Sequence, residues 1–174
     1  MSKTTQIHPD KLRAYEATDY RLGHTDQDIV LTIRKRSERL ATLFALNGVN
    51  CGAFLTAYNP QGTIQSDSAN TLGHAELASK LKELGVQAIE GSGSEEDTEW
   101  PAEKSYFALG LSLELAKAIG TEFEQDAIVW VGGNAKSVLA RICGITLDEA
   151  LHEIDSCRSS AAVRLVIDGP SSWT

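Results

Sequence analysis

The chain has 174 residues, a formal net charge of −8 and 42% apolar residues, enough for one domain that buries roughly 70% of its unfolded surface. This composition argues against disorder away from the ends. The acidic balance disfavours general nucleic-acid binding, which needs clustered Lys and Arg, and no run approaches the ~20 apolar residues of a membrane helix.

Residues 1–10 read as a loose end without the apolar stretch of a secretory signal, so the expected location is the cytoplasm. Cys51, Cys143 and Cys157 are widely spaced without a C-x-x-C pair, as expected of free thiols in a reducing compartment. Asp28 to Arg34 is β-branched and apolar, hence a strand. Arg34, Lys35, Arg36 and Arg39 read as the solvated start of a helix that buries Leu40, Leu43 and Phe44 and stops at Asn47-Gly48.

Cys51 to Tyr58 is apolar on both faces, which predicts a central, fully covered strand ending at Asn59-Pro60-Gln61-Gly62. A helix follows with Gly73 and Glu76 at N-cap and N3, Leu77, Leu81 and Leu84 inward, and Gly85 at its end. Val86 to Ile89 is a short strand. Glu90, Glu95, Glu96, Asp97, Glu99 and Glu103 then fill an exposed loop or wide hairpin that ends in Trp100-Pro101.

Ser105 to Leu111 is the next strand. Ser112 caps a helix closed by Gly120, and Ala127 to Val131 is a strand stopped by Gly132-Gly133. Asn134 is placed to cap a helix burying Val138, Leu139 and Ile142. Thr146 and Glu149 form a capping box for another helix, and Ala161 to Ile167 is a last strand. The alternation of strands and helices predicts a single α/β domain over residues 1–174, with a mixed, mostly parallel sheet flanked by helices.

Ligands of open α/β sheets collect beyond the carboxyl ends of strands. Period-two alternation puts Thr56 and Tyr58 on one face, with Asn59 at the turn, so a hydroxyl, a phenol and an amide converge at the central strand end. The plainer alternative is a common Asn-Pro turn with a tyrosine bonded to backbone. In Trp100-Pro101-Ala102-Glu103, a carboxylate beside an aromatic suits an acid or base; equally, Trp100 can plug an edge while Glu103 is solvated. Gln125 can read an amide or satisfy local backbone.

Val131-Gly132-Gly133-Asn134-Ala135-Lys136-Ser137 lacks the G-x-x-x-x-G-K-S/T spacing of a phosphate loop, leaving a weaker anion site at the predicted helix start as an alternative. His24, Asp26 and Asp28 are too few for a metal, His8, His74 and His152 are scattered, and neither a metal nor a cofactor is expected. No G-x-S-x-G or local Cys-His pairing points to a nucleophile.

Tyr15-x-x-Thr18-x-Tyr20, Thr56-Ala57-Tyr58-Asn59-Pro60, Asn70, Trp100-Pro101-x-Glu103 and Phe123-x-Gln125-x-Ala127-Ile128 follow one another in an order that resembles an uncharacterised bacterial family, domain of unknown function 3293. The resemblance covers about residues 14–132, with 143–174 as an added helix and strand; it departs at Gln61-Gly62-Thr63, Lys104, Glu124 and Asp126. The family carries no activity to transfer. The resemblance implies that Thr56, Tyr58, Asn59, Asn70, Glu103 and Gln125 share one surface.

Three functions compete. A small-ligand-binding or regulatory module would hold a polar ligand or nucleotide with Thr56, Tyr58, Asn59, Asn70, Trp100 and Gln125. An acidic interaction or inhibitor factor from a mobile element would meet a basic protein through the carboxylates of 90–103. A hydrolase or transferase would use Glu103 as acid or base with Tyr58 assisting, which requires the two in one pocket.

Overall fold

The computed structural model describes residues 7–23, 27–96 and 98–141. Its helices are α1 (Pro9–Ala17), α2 (Glu38–Asn47), α3 (Asp67–Glu83) and α4 (Leu113–Glu122). Its strands are β1 (Asp19–Leu22), β2 (Ile29–Leu31), β3 (Gly52–Leu55), β4 (Ala88–Ser94), β5 (Glu103–Leu109), β6 (Ala127–Val131) and β7 (Ser137–Arg141). They form one sheet in the order β2-β1-β4-β5-β3-β6-β7, and every pairing is antiparallel.

The expected mostly parallel sheet is therefore wrong, and the reason lies in the strand order. Helix α3 links β3 to β4, and α4 links β5 to β6. Each helix joins two strands that run the same way, as in a parallel crossover. A strand from elsewhere is inserted between them: β5 between β3 and β4, and β3 between β5 and β6. Two such split β-α-β units interleave into a β-α-β-β-α-β core of ferredoxin-like order. Strand–helix alternation looks the same in both arrangements, because the inserted strand comes from a distant part of the chain.

Helices α3 and α4 pack on one face of the sheet. Leu77 and Leu81 of α3 and Leu115, Ala116 and Ile119 of α4 bury against Ala53, Leu55, Ala108 and Ile128. The other face carries Tyr20, Leu22, Phe54, Phe107, Leu109, Val129 and Val131, covered at one end by Leu40 and Phe44 of α2. Phe44 stacks on Phe107 at 6.2 Å, and Tyr20 meets Phe54 edge-on at 5.4 Å. Strand β3 is thus buried on both faces without any parallel neighbour.

The sheet curls until its two edges meet. The segment after β2 bridges the segment before β7 at Arg36 and Lys136, with Arg34 N–H donating to the Ser137 carbonyl at 2.8 Å and Ser37 N–H to the Ala135 carbonyl at 2.9 Å. Glycine permits the tight curl: a Cβ on Gly91 would lie 2.2 Å from the Arg21 carbonyl oxygen across the β1–β4 pair. The α2-side inner face is consequently closed.

Local signals succeeded where the chain could read them alone. The expected cap Ser112 holds α4 through its side-chain oxygen, and Gly48, at the expected stop, takes the left-handed conformation after α2, whereas Ser37 and Ser66 cap α2 and α3 without having been expected to. Other boundaries differ. Helix α3 starts at Asp67, so Gly73 lies inside it, where a Cβ would stand 3.1 Å from the Ala57 carbonyl oxygen. Helix α4 runs through buried Gly120 to Glu122.

The helix expected from Asn134 is replaced by β7, so the anion site at its start has no helix to stand on. Asn134 Oδ1 instead accepts from Lys136 N–H at 3.1 Å. The predicted helix from Thr146, the strand Ala161–Ile167, Cys143, Cys157, His24, Asp26 and Asp97 lie outside the described residues. Cys51 is a free thiol, and burial pushes its pKa up. No helix among the described residues is long and apolar enough to cross a membrane.

Candidate functional site

The inner face of the sheet changes character from one end to the other. Register places Thr56 beyond Phe54 on β3, Ser105 and Glu103 beyond Phe107 on β5, and Ala127 beyond Val129 on β6, all toward the end opposite α2. Gly93 of β4 lies opposite Glu103. Large apolar side chains thus give way to small and polar ones at the same height on adjacent strands. The result is a cavity of about 270 Å³, floored by Tyr20, Phe54 and Val129 and covered by Lys11, Ala14 and Tyr15 of α1.

Asn59 organises the wall. It is buried and left-handed, at φ 47° and ψ 59°, immediately before Pro60. A residue before proline avoids helical geometry, so this conformation is strained and must be held. Its backbone N–H donates to Asn70 Oδ1 at 2.9 Å, and its Oδ1 accepts from Gln65 N–H at 2.9 Å and Asn70 Nδ2 at 3.0 Å. Its Nδ2 then donates to Glu103 Oε1 at 2.8 Å. Trp100 Nε1 donates to the same oxygen at 3.1 Å.

Glu103 therefore receives two neutral donors on one oxygen, and no cation pairs with it among the described residues. Burial raises its pKa above the ordinary carboxylate value, opposed by the hydrogen bonds from Asn59 and Trp100. The nearby cation is engaged elsewhere: Lys11 Nζ contacts Asp126 Oδ2 at 3.1 Å and the Gln61 carbonyl at 3.0 Å. Tyr15 donates to Asp126 at 3.4 Å, and burial, with the negative charges of Asp126 and Glu103, pushes its hydroxyl up to about 12. Tyr20 donates to the Tyr15 carbonyl at 2.9 Å, and burial raises its pKa as well. Both phenols stay protonated at neutral pH.

Of the residues singled out in the sequence, Thr56, Asn59, Trp100, Glu103 and Gln125 line this cavity, and Asn70 stands behind Asn59 as its hydrogen-bond partner. Thr56 donates to the Lys104 carbonyl at 2.8 Å and accepts from Tyr58 N–H at 3.0 Å. Gln125 Nε2 donates to the carbonyls of Tyr58 and Phe123 at 3.1 and 3.2 Å.

Tyr58 is not on the cavity lining. Strand β3 ends at Leu55, so period-two alternation does not carry through to residue 58. The Tyr58 ring meets His74 edge-on at 5.9 Å, and His74 stacks on Tyr106 at 4.3 Å, on the helix-covered side. The arrangement of Glu103 and Tyr58 in one pocket is not found.

The acidic segment is divided between two strands and the connection that joins them. Glu90 pairs in register with Tyr106 on the outer side, Glu103 turns into the cavity, and Glu95, Glu96 and Glu99 occupy the β4–β5 connection. Lys11 and the whole of α1 escaped the sequence reading because the helix buries no residue. The signal was there in His8, Pro9 and Asp10, an N-cap, a first-turn proline and a first-turn acid. Among the described residues no group of three or more His, Cys, Asp or Glu could hold a metal.

These features define an α+β protein with a split β-α-β core and a largely apolar cavity, edged by a few polar side chains, inside the curl of its sheet. Residues 55–128 match the family model described as "Protein of unknown function (DUF3293)", the family that the motifs resemble. The matched span runs from the end of β3 to the start of β6, and so contains Asn59, Asn70, Trp100, Glu103 and Gln125. No curated protein and no solved structure matches the chain.

Proposed function

We propose that this protein binds a small polar ligand in the cavity between α1 and the inner face of the sheet, as a binding or regulatory module. The observation that carries the reading is Glu103. A half-buried carboxylate costs stability, and no cation among the described residues pairs with this one. Asn59 and Trp100 nonetheless hold one of its oxygens in a single position, and the carboxylate borders a cavity of about 270 Å³. Held, desolvated polar groups in a largely apolar hollow are what small-molecule sites use for orientation. The hydrolase or transferase alternative keeps Glu103 but loses Tyr58 as its assistant. The interaction-factor alternative keeps Glu95, Glu96 and Glu99 on the β4–β5 connection, while Glu90 and Glu103 stand on the strands either side of it.

The test is a thermal-shift scan of the full chain against nucleotides, nucleotide sugars, amino acids, amines and common anions. At a hundredfold excess over its dissociation constant a ligand adds ~2.7 kcal/mol, which for a chain of this size raises Tm by roughly 5–11 °C. A rise for one chemical class, lost when Glu103 or Trp100 is truncated to alanine, is the expected result. A flat scan across all classes would overturn the proposal.

A further inference from the structure

The hydrogen-bonding atoms around the cavity are unequally engaged. The side-chain hydroxyls of Thr18, Thr56 and Ser105 all donate to backbone carbonyls, those of Ala14, Lys104 and Glu103. The two tyrosines donate to Asp126 and to backbone. Both protons of the Gln125 amide reach carbonyls, and the Trp100 indole is on Glu103. Lys11, at the mouth, is held by Asp126 and the Gln61 carbonyl. On the lining, the side-chain atoms without a hydrogen-bond partner among the described residues are Glu103 Oε2, Gln125 Oε1, the two Glu95 carboxylate oxygens and Ser94 Oγ. All but the Ser94 hydroxyl are acceptors only.

A cavity whose donors, Ser94 apart, are engaged and whose open positions are mostly carboxylate and amide oxygens selects a ligand rich in donors. It offers little to a phosphate or carboxylate, and Glu103 and Glu95 on the lining repel one. The same cavity carries Tyr15, Tyr20, Phe54 and Trp100, whose ring carbon suits an apolar body and whose π-faces attract cations. A bound cation would also supply the charge partner that Glu103 lacks.

From this we infer that the ligand is an organic cation with N–H donors on an apolar body: an amidinium, a guanidinium or a primary ammonium. The inference rests on the cavity being a ligand site, as proposed above, and deepens it by naming the chemistry.

Benzamidine, benzamide and benzoate test it, because the three share one shape and differ in charge and donors. Each is titrated calorimetrically into the full chain near neutral pH at matched ionic strength, and into Glu103→Gln, which keeps an acceptor for Asn59 and Trp100 but carries no charge. Benzamidinium should bind the wild type and bind Glu103→Gln at least tenfold more weakly, with benzamide weaker than benzamidinium and benzoate silent. Circular dichroism confirms that the variant is folded. If benzoate binds as well as benzamidinium, or if Glu103→Gln leaves benzamidinium binding unchanged, the cation assignment is wrong while the cavity remains a site. If none of the three binds, the cation assignment also falls, and the cavity reading stands or falls separately with the broad thermal-shift scan.

Discussion

Replacing Asn59 by glycine and by alanine separates its two tasks, holding a left-handed turn and joining three parts of the chain. Glycine tolerates φ 47° but has no side chain. Asn59→Gly removes the acceptor of Gln65 N–H and Asn70 Nδ2 and the donor to Glu103 Oε1. The Asn70 amide is buried, and leaving such a group unsatisfied costs about 1–3 kcal/mol; water can partly replace the half-buried Gln65 bond, so that loss is nearer 1 kcal/mol. Glu103 keeps its bond from Trp100. The sum is about 2–4 kcal/mol, which lowers Tm by roughly 4–16 °C. Alanine loses the same bonds and adds about 1 kcal/mol for a Cβ in the left-handed region. Urea denaturation of the three proteins, with unchanged slope, gives both numbers. A loss below about 0.5 kcal/mol for Asn59→Gly would mean that the network does not hold the turn. Equal losses for glycine and alanine would refute the strained geometry.

Other consequences follow from single contacts. The folded pKa of Glu103 lies above its ordinary value of 4.5, so its contribution to stability is full below the unfolded pKa and is lost as pH rises through the folded one. Glu103→Gln should therefore gain on the wild type as pH rises above about 4.5, measured as the difference in unfolding midpoint between acid and neutral buffer; a constant difference would contradict the buried carboxylate. Gly91→Ala forces a Cβ onto the Arg21 carbonyl and should cost about 1–3 kcal/mol or unfold the β1–β4 edge, seen as faster amide exchange in β1. Ser112→Ala removes the acceptor for Leu115 N–H at the start of α4 and should cost about 1 kcal/mol in the same denaturation assay.

Much of the local structure was legible from the chain alone. The strand Ala127–Val131 and the helix ending at Asn47-Gly48 follow from patterning and punctuation, because a strand's alternation and a helix's stop are set by neighbours in sequence. Trp100, Glu103, Asn59 and Gln125 could be singled out because such residues at element ends are costly unless something engages them. Helix α1 was missed because a helix lying over a cavity mouth buries too little to show an apolar stripe. The segment after Asn134 fits either state because its apolar run, Val138-Leu139-Ala140, is short, and the partner that decides for strand is β6.

Neighbours in sequence therefore set most element types, the stop of α2 and the cap of α4, and pointed to most of the polar residues that meet in the cavity. The tertiary structure alone decided that β5 enters between β3 and β4, that every pairing is antiparallel, and that Tyr58 leaves the site for His74. It also decided the bond between Asn59 and Glu103, 44 positions apart, that joins a loop residue and a strand residue in one cavity wall. The division is physical. Periodicity and capping are interactions within a few residues. Strand order and the height at which inner side chains turn polar depend on which distant segments pair, and their energies are summed only once the sheet has curled.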